Sequence, residues 1–106
     1  MRYSTYINNQ KCLDWGLNVN QGALLDYLIS IHSNTRSIQG LVVIAVNYQD
    51  ICNQLPLYYK KSDTVYRALK ALISKGLITY HRIDVQNRIE IVSVTEKGLL
   101  WGRIYE

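Results

Sequence analysis

A chain of 106 residues has room for a single domain, residues 1–106, and for little beyond it. A hydrophobic share of 48% excludes a disordered polymer. The formal net charge of +4 is mild, but residues 60–88 hold seven basic side chains against two acidic ones, which leaves the rest of the chain at −1. The positive excess sits in one stretch, and a polyanion partner is expected there.

The opening MRYSTYINNQK has no apolar signal core. The longest apolar run, residues 41–46, falls far short of the about 20 residues of a membrane span. A soluble cytoplasmic protein is expected. Cys12 and Cys52 form no C-x-x-C pair, and with His32 and His81 they lack zinc-ligand spacing. Buried or half-buried thiols in a reducing compartment are the expectation, rather than metal ligands. There is no Phe, so nine Tyr and two Trp must supply the aromatic packing.

Residues 1–9 are polar with Tyr3, Tyr6 and Ile7 interspersed, and read as a strand or an ordered arm. Residues 11–16 make one helical turn that Gly16 stops. The first long helix starts near Asn20, a residue type that caps orphan amides, and buries Leu24, Leu25, Leu28 and Ile31. Residues 33–40 read as a loop. The β-branched run over 41–46 predicts a short strand. Asn47 caps a second helix over 48–55, and Leu55-Pro56 ends it, because the residue before proline leaves helical geometry. Residues 56–61 are a turn.

Ser62 or Asp63 then caps a third helix over 63–75. At about 100° per residue, Val65, Ala68, Leu69 and Leu72 share its inner face. Asp63, Arg67, Lys70 and Ser74 lie opposite, with Thr64 and Ala71 on one flank and Tyr66 on the other. Lys75-Gly76 stops the helix. Residues 77–83 and 88–94 are two strands joined by the polar turn DVQN, so that the hairpin spans 77–94. Thr95 and Glu96 open a last helix of about ten residues bearing Leu99, Leu100, Trp101 and Ile104. Leu24, Leu28, Ile51, Val65, Leu69, Leu72 and Leu77 are expected in one core. The fold class is α+β: a three-helix core, a short strand, a two-stranded hairpin and a C-terminal helix.

Residues 63–78 (DTVYRALKALISKGLI) closely resemble the recognition helix and first wing strand of bacterial winged helix-turn-helix proteins, and residues 94–98 (VTEKG) resemble the end of the wing. More narrowly, INNQKCLDWGLNVNQGALLDYL, LPLYYKKSDTVYRALKAL and VTEKGLLW resemble the N-terminal DNA-binding domain of phage and prophage replication proteins of the replisome-organiser type. The resemblance implies double-stranded DNA as partner, together with replication proteins. It implies a recognition helix laid in the major groove and a role in origin recognition in phage- or plasmid-type replication. Because many winged-helix proteins read two half-sites, a homodimer is expected. Replication proteins of that type usually carry a further domain for helicase loading or self-assembly, whereas this chain matches the DNA-binding domain alone. It stands alone or is a piece of a longer protein.

Groove binding needs cations for phosphates and short or planar donors for base edges. Arg67 offers paired N–H groups to a guanine edge, and Thr64 and Ala71 suit a thymine methyl. Lys60, Lys61 and Ser62 lie at the helix entrance, where amides and cations together favour a phosphate. Lys70 adds a cation, and Tyr66 a hydroxyl for a phosphate. At the hairpin, His81, Arg82, Gln86, Asn87 and Arg88 are the wing candidates; a narrow minor groove attracts an arginine there. The bland counterparts are a solvated helix face and a solubilising turn, and the ordered context favours the DNA reading. Tyr58 and Tyr59 either stack on bases or pack on the helices, and packing is the expectation.

No catalytic set is visible: the histidines have no nucleophile nearby, the acidic residues are scattered, and no phosphate loop or dinucleotide glycine pattern occurs. No enzyme activity, cofactor or metal is expected. Two rivals to origin recognition stand: a transcriptional regulator of the same fold, and a winged-helix protein-interaction module that does not bind DNA.

Overall fold

Side-chain caps and apolar periodicity account for most elements of the computed structural model, which describes residues 1–34, 42–84, 86 and 89–102. The N-terminal residues are an ordered arm: the Arg2 amide donates to the Gln54 carbonyl at 3.1 Å. Helix α1 (Asn9–Trp15) starts ahead of the expected Lys11 because Asn8 caps it, accepting from the Lys11 amide at 3.0 Å. Gly16 is its C-cap.

Helix α2 (Val19–Asn34) corrects the expected cap. Asn20 lies inside its first turn, and Asn18 caps it instead. Asn18 Oδ1 accepts from the Gln21 amide at 2.8 Å, and Gln21 Oε1 accepts from the Asn18 amide at 3.0 Å. This reciprocal capping box satisfies a second amide that a lone Asn20 cap would leave open. The helix also takes in Ser33 and Asn34, expected in the loop; the remainder of that loop, residues 35–40, lies outside the described residues, as does Leu41.

Strand β1 (Ile44–Asn47) runs directly into helix α3 (Tyr48–Gln54), which Asn47 caps by accepting from the Asp50 amide at 2.9 Å. Leu55 leaves helical geometry immediately before Pro56, at ψ 58°. In helix α4 (Ser62–Ser74) neither Ser62 nor Asp63 is the cap. The backbone is still extended at Lys61, so Ser62 is already helical, and the Lys61 side chain makes no capping bond. Gly76, at φ 73°, takes the left-handed turn that ends α4, and the Leu77 amide closes onto the Leu72 carbonyl at 3.0 Å.

Strands β2 (Ile78–Asp84) and β3 (Ile89–Val94) are antiparallel, and β1 pairs with the far edge of β3, so the sheet order is β1-β3-β2. Tyr80 faces Val92 while Arg82 faces Ile91, which leaves His81 as the extra residue of a bulge. Asp84, expected in the turn, closes β2, and Val85, Asn87 and Arg88 lie outside the described residues.

The expected ten-residue terminal helix is also corrected. Helix α5 (Glu96–Leu99) has four residues, with Thr95 as cap accepting from the Gly98 amide at 3.0 Å. The chain then turns to bring Trp101 inward, and Gly102 is left-handed at φ 71°. Trp101 is fully buried, and its indole donates to Asp26 Oδ1 at 3.1 Å. Continuing the helix would forfeit that burial. Ile104 lies outside the described residues. Asp26, itself 0% exposed, also accepts from the Tyr6 amide at 3.1 Å and pairs with Arg2 at 3.3 Å. One buried carboxylate thus ties the arm and the C-terminal turn to α2. The expected core residues Leu24, Leu28, Ile51, Val65, Leu69, Leu72 and Leu77 do cluster, each 1% exposed or less.

Candidate nucleic-acid interface

Val65, Ala68, Leu69 and Leu72 seat α4 on the core and turn its opposite face outward. Asp63, Thr64 and Arg67 are exposed on that face. Arg67 Nη2 lies 2.8 Å from Asp63 Oδ2, a pair one helical turn apart whose side chains are 74% and 64% exposed. Such a pair contributes only about 0.3–0.5 kcal/mol, so a nucleic acid can displace it at little cost. Thr64 Oγ1 donates to the Lys61 carbonyl at 2.6 Å. Lys60 and Lys61 stand exposed at the helix entrance, with Ser62 half-buried beside them. Ala71 is half-buried on the flank. Lys60 and Lys61 at the entrance, and Thr64 and Arg67 on the outer face, are thus all exposed around the first half of α4.

The remaining candidates are placed differently. Tyr66 is 42% exposed and packs edge-on against Tyr48, the ring centres 6.2 Å apart. Lys70 turns toward the sheet: its Nζ lies 3.2 Å from Glu90 Oε1 and 5.1 Å from the ring centres of both Tyr66 and Tyr80. His81 is exposed, and its Nε2 hydrogen-bonds Ser93 Oγ at 2.9 Å. Arg82 is in β2, with its side chain outside the described part; Asn87 and Arg88 are outside altogether. Gln86 is exposed in the turn. Tyr59 is 2% exposed, its hydroxyl donates to the Asn20 carbonyl, and Tyr58 packs half-buried on the core, so both follow the packing alternative. Burial pushes the Tyr59 hydroxyl above the ordinary tyrosine range.

Two features of the region are absent from the sequence reading. Asn18, Asn20 and Gln21 at the start of α2 line a shallow cleft of about 210 Å³ with Thr64, Arg67 and Ala68, so the outer face of α4 is continuous with α2. Glu90 is the other: it is 0% exposed, and neither its Oε2 nor the buried Tyr48 hydroxyl has a hydrogen-bond partner among the described residues. Burial, and then the Glu90 carboxylate, push the Tyr48 hydroxyl up. The signal for Glu90 lay in the strand alternation, which puts it in phase with the buried Val92 and Val94.

Among the described residues, no group of three or more His, Cys, Asp and Glu side chains is placed to hold a metal ion, and no helix is long and apolar enough to cross a membrane. Cys12 and Cys52 are free and buried, and burial pushes both thiols up.

No protein-family model matches the chain, and no curated protein sequence matches it. Solved structures do. The S. aureus MepR–DNA complex is similar over 88% of this chain at a TM-score of 0.60 and 23% identity, and the chain spans 59% of the length of that one. An N-terminal domain of a DNA-binding protein is similar over 92% of this chain and 91% of its own, at a TM-score of 0.51 and 15% identity. Helices α3 and α4 are the helix-turn-helix pair and the β2–β3 hairpin is the wing: the chain has the winged-helix fold.

Proposed function

We propose that the chain binds double-stranded DNA, with α4 in the major groove and the wing against the neighbouring backbone. The observation that carries this reading is the outward face of α4, where Thr64 and Arg67 are exposed, with Lys60 and Lys61 exposed at its entrance, within the most basic stretch of the chain. Exposed lysines at a helix entrance suit phosphates, and an arginine held by a weak, exposed ion pair is available to a base edge. A similar fold solved in complex with DNA supports the same reading.

The test is a titration of duplex DNA against the protein at several salt concentrations. About four phosphate contacts give a log–log slope near −4. Binding that is flat in salt, or absent at low salt, overturns DNA binding and favours the protein-interaction module.

Within the DNA reading, origin recognition in phage- or plasmid-type replication rests on the three sequence segments resembling replisome-organiser proteins. Selecting bound duplexes from a random pool and mapping them on the parent genome separates it from transcriptional regulation. Repeated sites inside an origin support replication; single sites at promoters support a regulator. A palindromic product supports a homodimer.

A further inference from the structure

Glu90 is fully buried, and among the described residues the one cation it reaches is Lys70, at 3.2 Å. The surrounding groups come from four elements: Tyr48 from α3, Tyr66 and Lys70 from α4, Tyr80 from β2 and Glu90 from β3. The Lys70 ammonium lies 5.1 Å from the ring centres of Tyr66 and of Tyr80, whose faces attract a cation, and 3.2 Å from Glu90 Oε1, with the Lys70 side chain itself 42% exposed. The rest of the α4 seat is apolar, and apolar burial is non-directional, so it tolerates small slides and rotations. The Lys70–Glu90 pair does not, because a shift that parts the two groups leaves the buried Glu90 carboxyl without its cation.

We propose that Lys70 and Glu90 are positioning residues that clamp the recognition helix α4 to the wing strand β3, so that specific DNA recognition depends on a carboxylate that touches no DNA. This rests on the DNA-binding reading above. It removes Lys70 from the set of phosphate contacts and assigns it to the angle between helix and wing. That angle decides whether major-groove and wing contacts are made together.

The test compares wild type, Lys70→Met, Lys70→Arg, Glu90→Gln and the double variant Lys70→Met/Glu90→Gln. Affinities are measured on the selected duplex and a scrambled one, at two salt concentrations, where circular dichroism shows each variant folded. Lys70→Met and Glu90→Gln are each expected to lower the preference for the selected duplex about tenfold with the salt slope unchanged. Lys70→Arg keeps the charge but not the compact ammonium, and loses preference as well. The double variant is expected to be no weaker than the worse single one, since residues of one pair are not additive. Lys70→Met weakening both duplexes alike and lowering the slope by about one overturns the proposal in favour of a phosphate contact. So does a Glu90→Gln variant with unchanged preference. If the wild type binds neither duplex, the DNA reading fails. Hydrogen exchange at the β3 amides of the free protein then decides the clamp: faster exchange in Glu90→Gln supports it, and unchanged exchange overturns it.

Discussion

Arg67 and Lys70 lie one turn apart on the same helix and carry the same charge, yet their surroundings separate them. Among the described residues Arg67 pairs with Asp63 in open solvent, whereas Lys70 pairs with a carboxylate removed from water. A screened surface pair is easily exchanged for a base edge. Arg67→Ala is therefore expected to cost about 1–3 kcal/mol on the preferred duplex and to relax base preference. Equal weakening on preferred and scrambled duplexes would show that Arg67 does not read bases. Tyr59 gives a second prediction at this scale. Its hydroxyl is buried and its ionisation is pushed up, so the fold favours the neutral form. That contribution is fully present below the unfolded value of about 10 and is lost as pH rises beyond it. Tyr59→Phe is expected to make the alkaline loss of stability shallower, read from denaturant unfolding between about pH 8 and 11. An unchanged pH dependence would refute the assignment.

At the level of elements, caps decide where helices begin, and α2 shows how two asparagines are told apart. Asn18 and Asn20 are chemically identical, but only Asn18 precedes the helix with Gln21 in place to answer it. Asn18→Ala is expected to destabilise the protein by about 1 kcal/mol, and Asn20→Ala by less than about 0.5. Thermal unfolding of both variants checks this, and the reverse order would restore the cap to Asn20. The T-E-K-G motif has an equally local logic. Thr95 accepts from Gly98 while donating to the Gly76 carbonyl at 2.7 Å, which locks α5 onto the α4–β2 turn. A Cβ on Gly98 would lie 2.3 Å from the Leu77 carbonyl oxygen, so that close approach requires glycine. The existence of these elements was legible in the sequence because stop signals and alternation act within a few residues, whereas the expected caps of α2 and α4 were displaced. The last helix was misjudged for the complementary reason: its apolar residues fit a helix, but Trp101 gains more from the Asp26 pocket than from another turn.

Over the whole molecule, α4 serves two sides at once: Val65, Ala68, Leu69 and Leu72 are buried in the core, and Asp63, Thr64 and Arg67 are exposed on the candidate interface. Leu69, with no exposed surface, joins α4 to the core beneath that interface. Leu69→Ala is expected to cost about 2–5 kcal/mol in denaturant unfolding. A change below about 0.5 kcal/mol would mean that α4 is not seated as described. The sequence by itself determined the order of elements, the inner face of α4, the wing and the stretch where positive charge accumulates, because periodicity and charge are properties of neighbouring residues. Only the tertiary structure decided which of those charges face outward. Lys70 and Glu90 are 20 residues apart, and Asp26 and Trp101 are 75 apart. A count of charges carries no information on burial. Whether a cation meets water, a nucleic acid or a buried carboxylate depends on which distant element packs beside it.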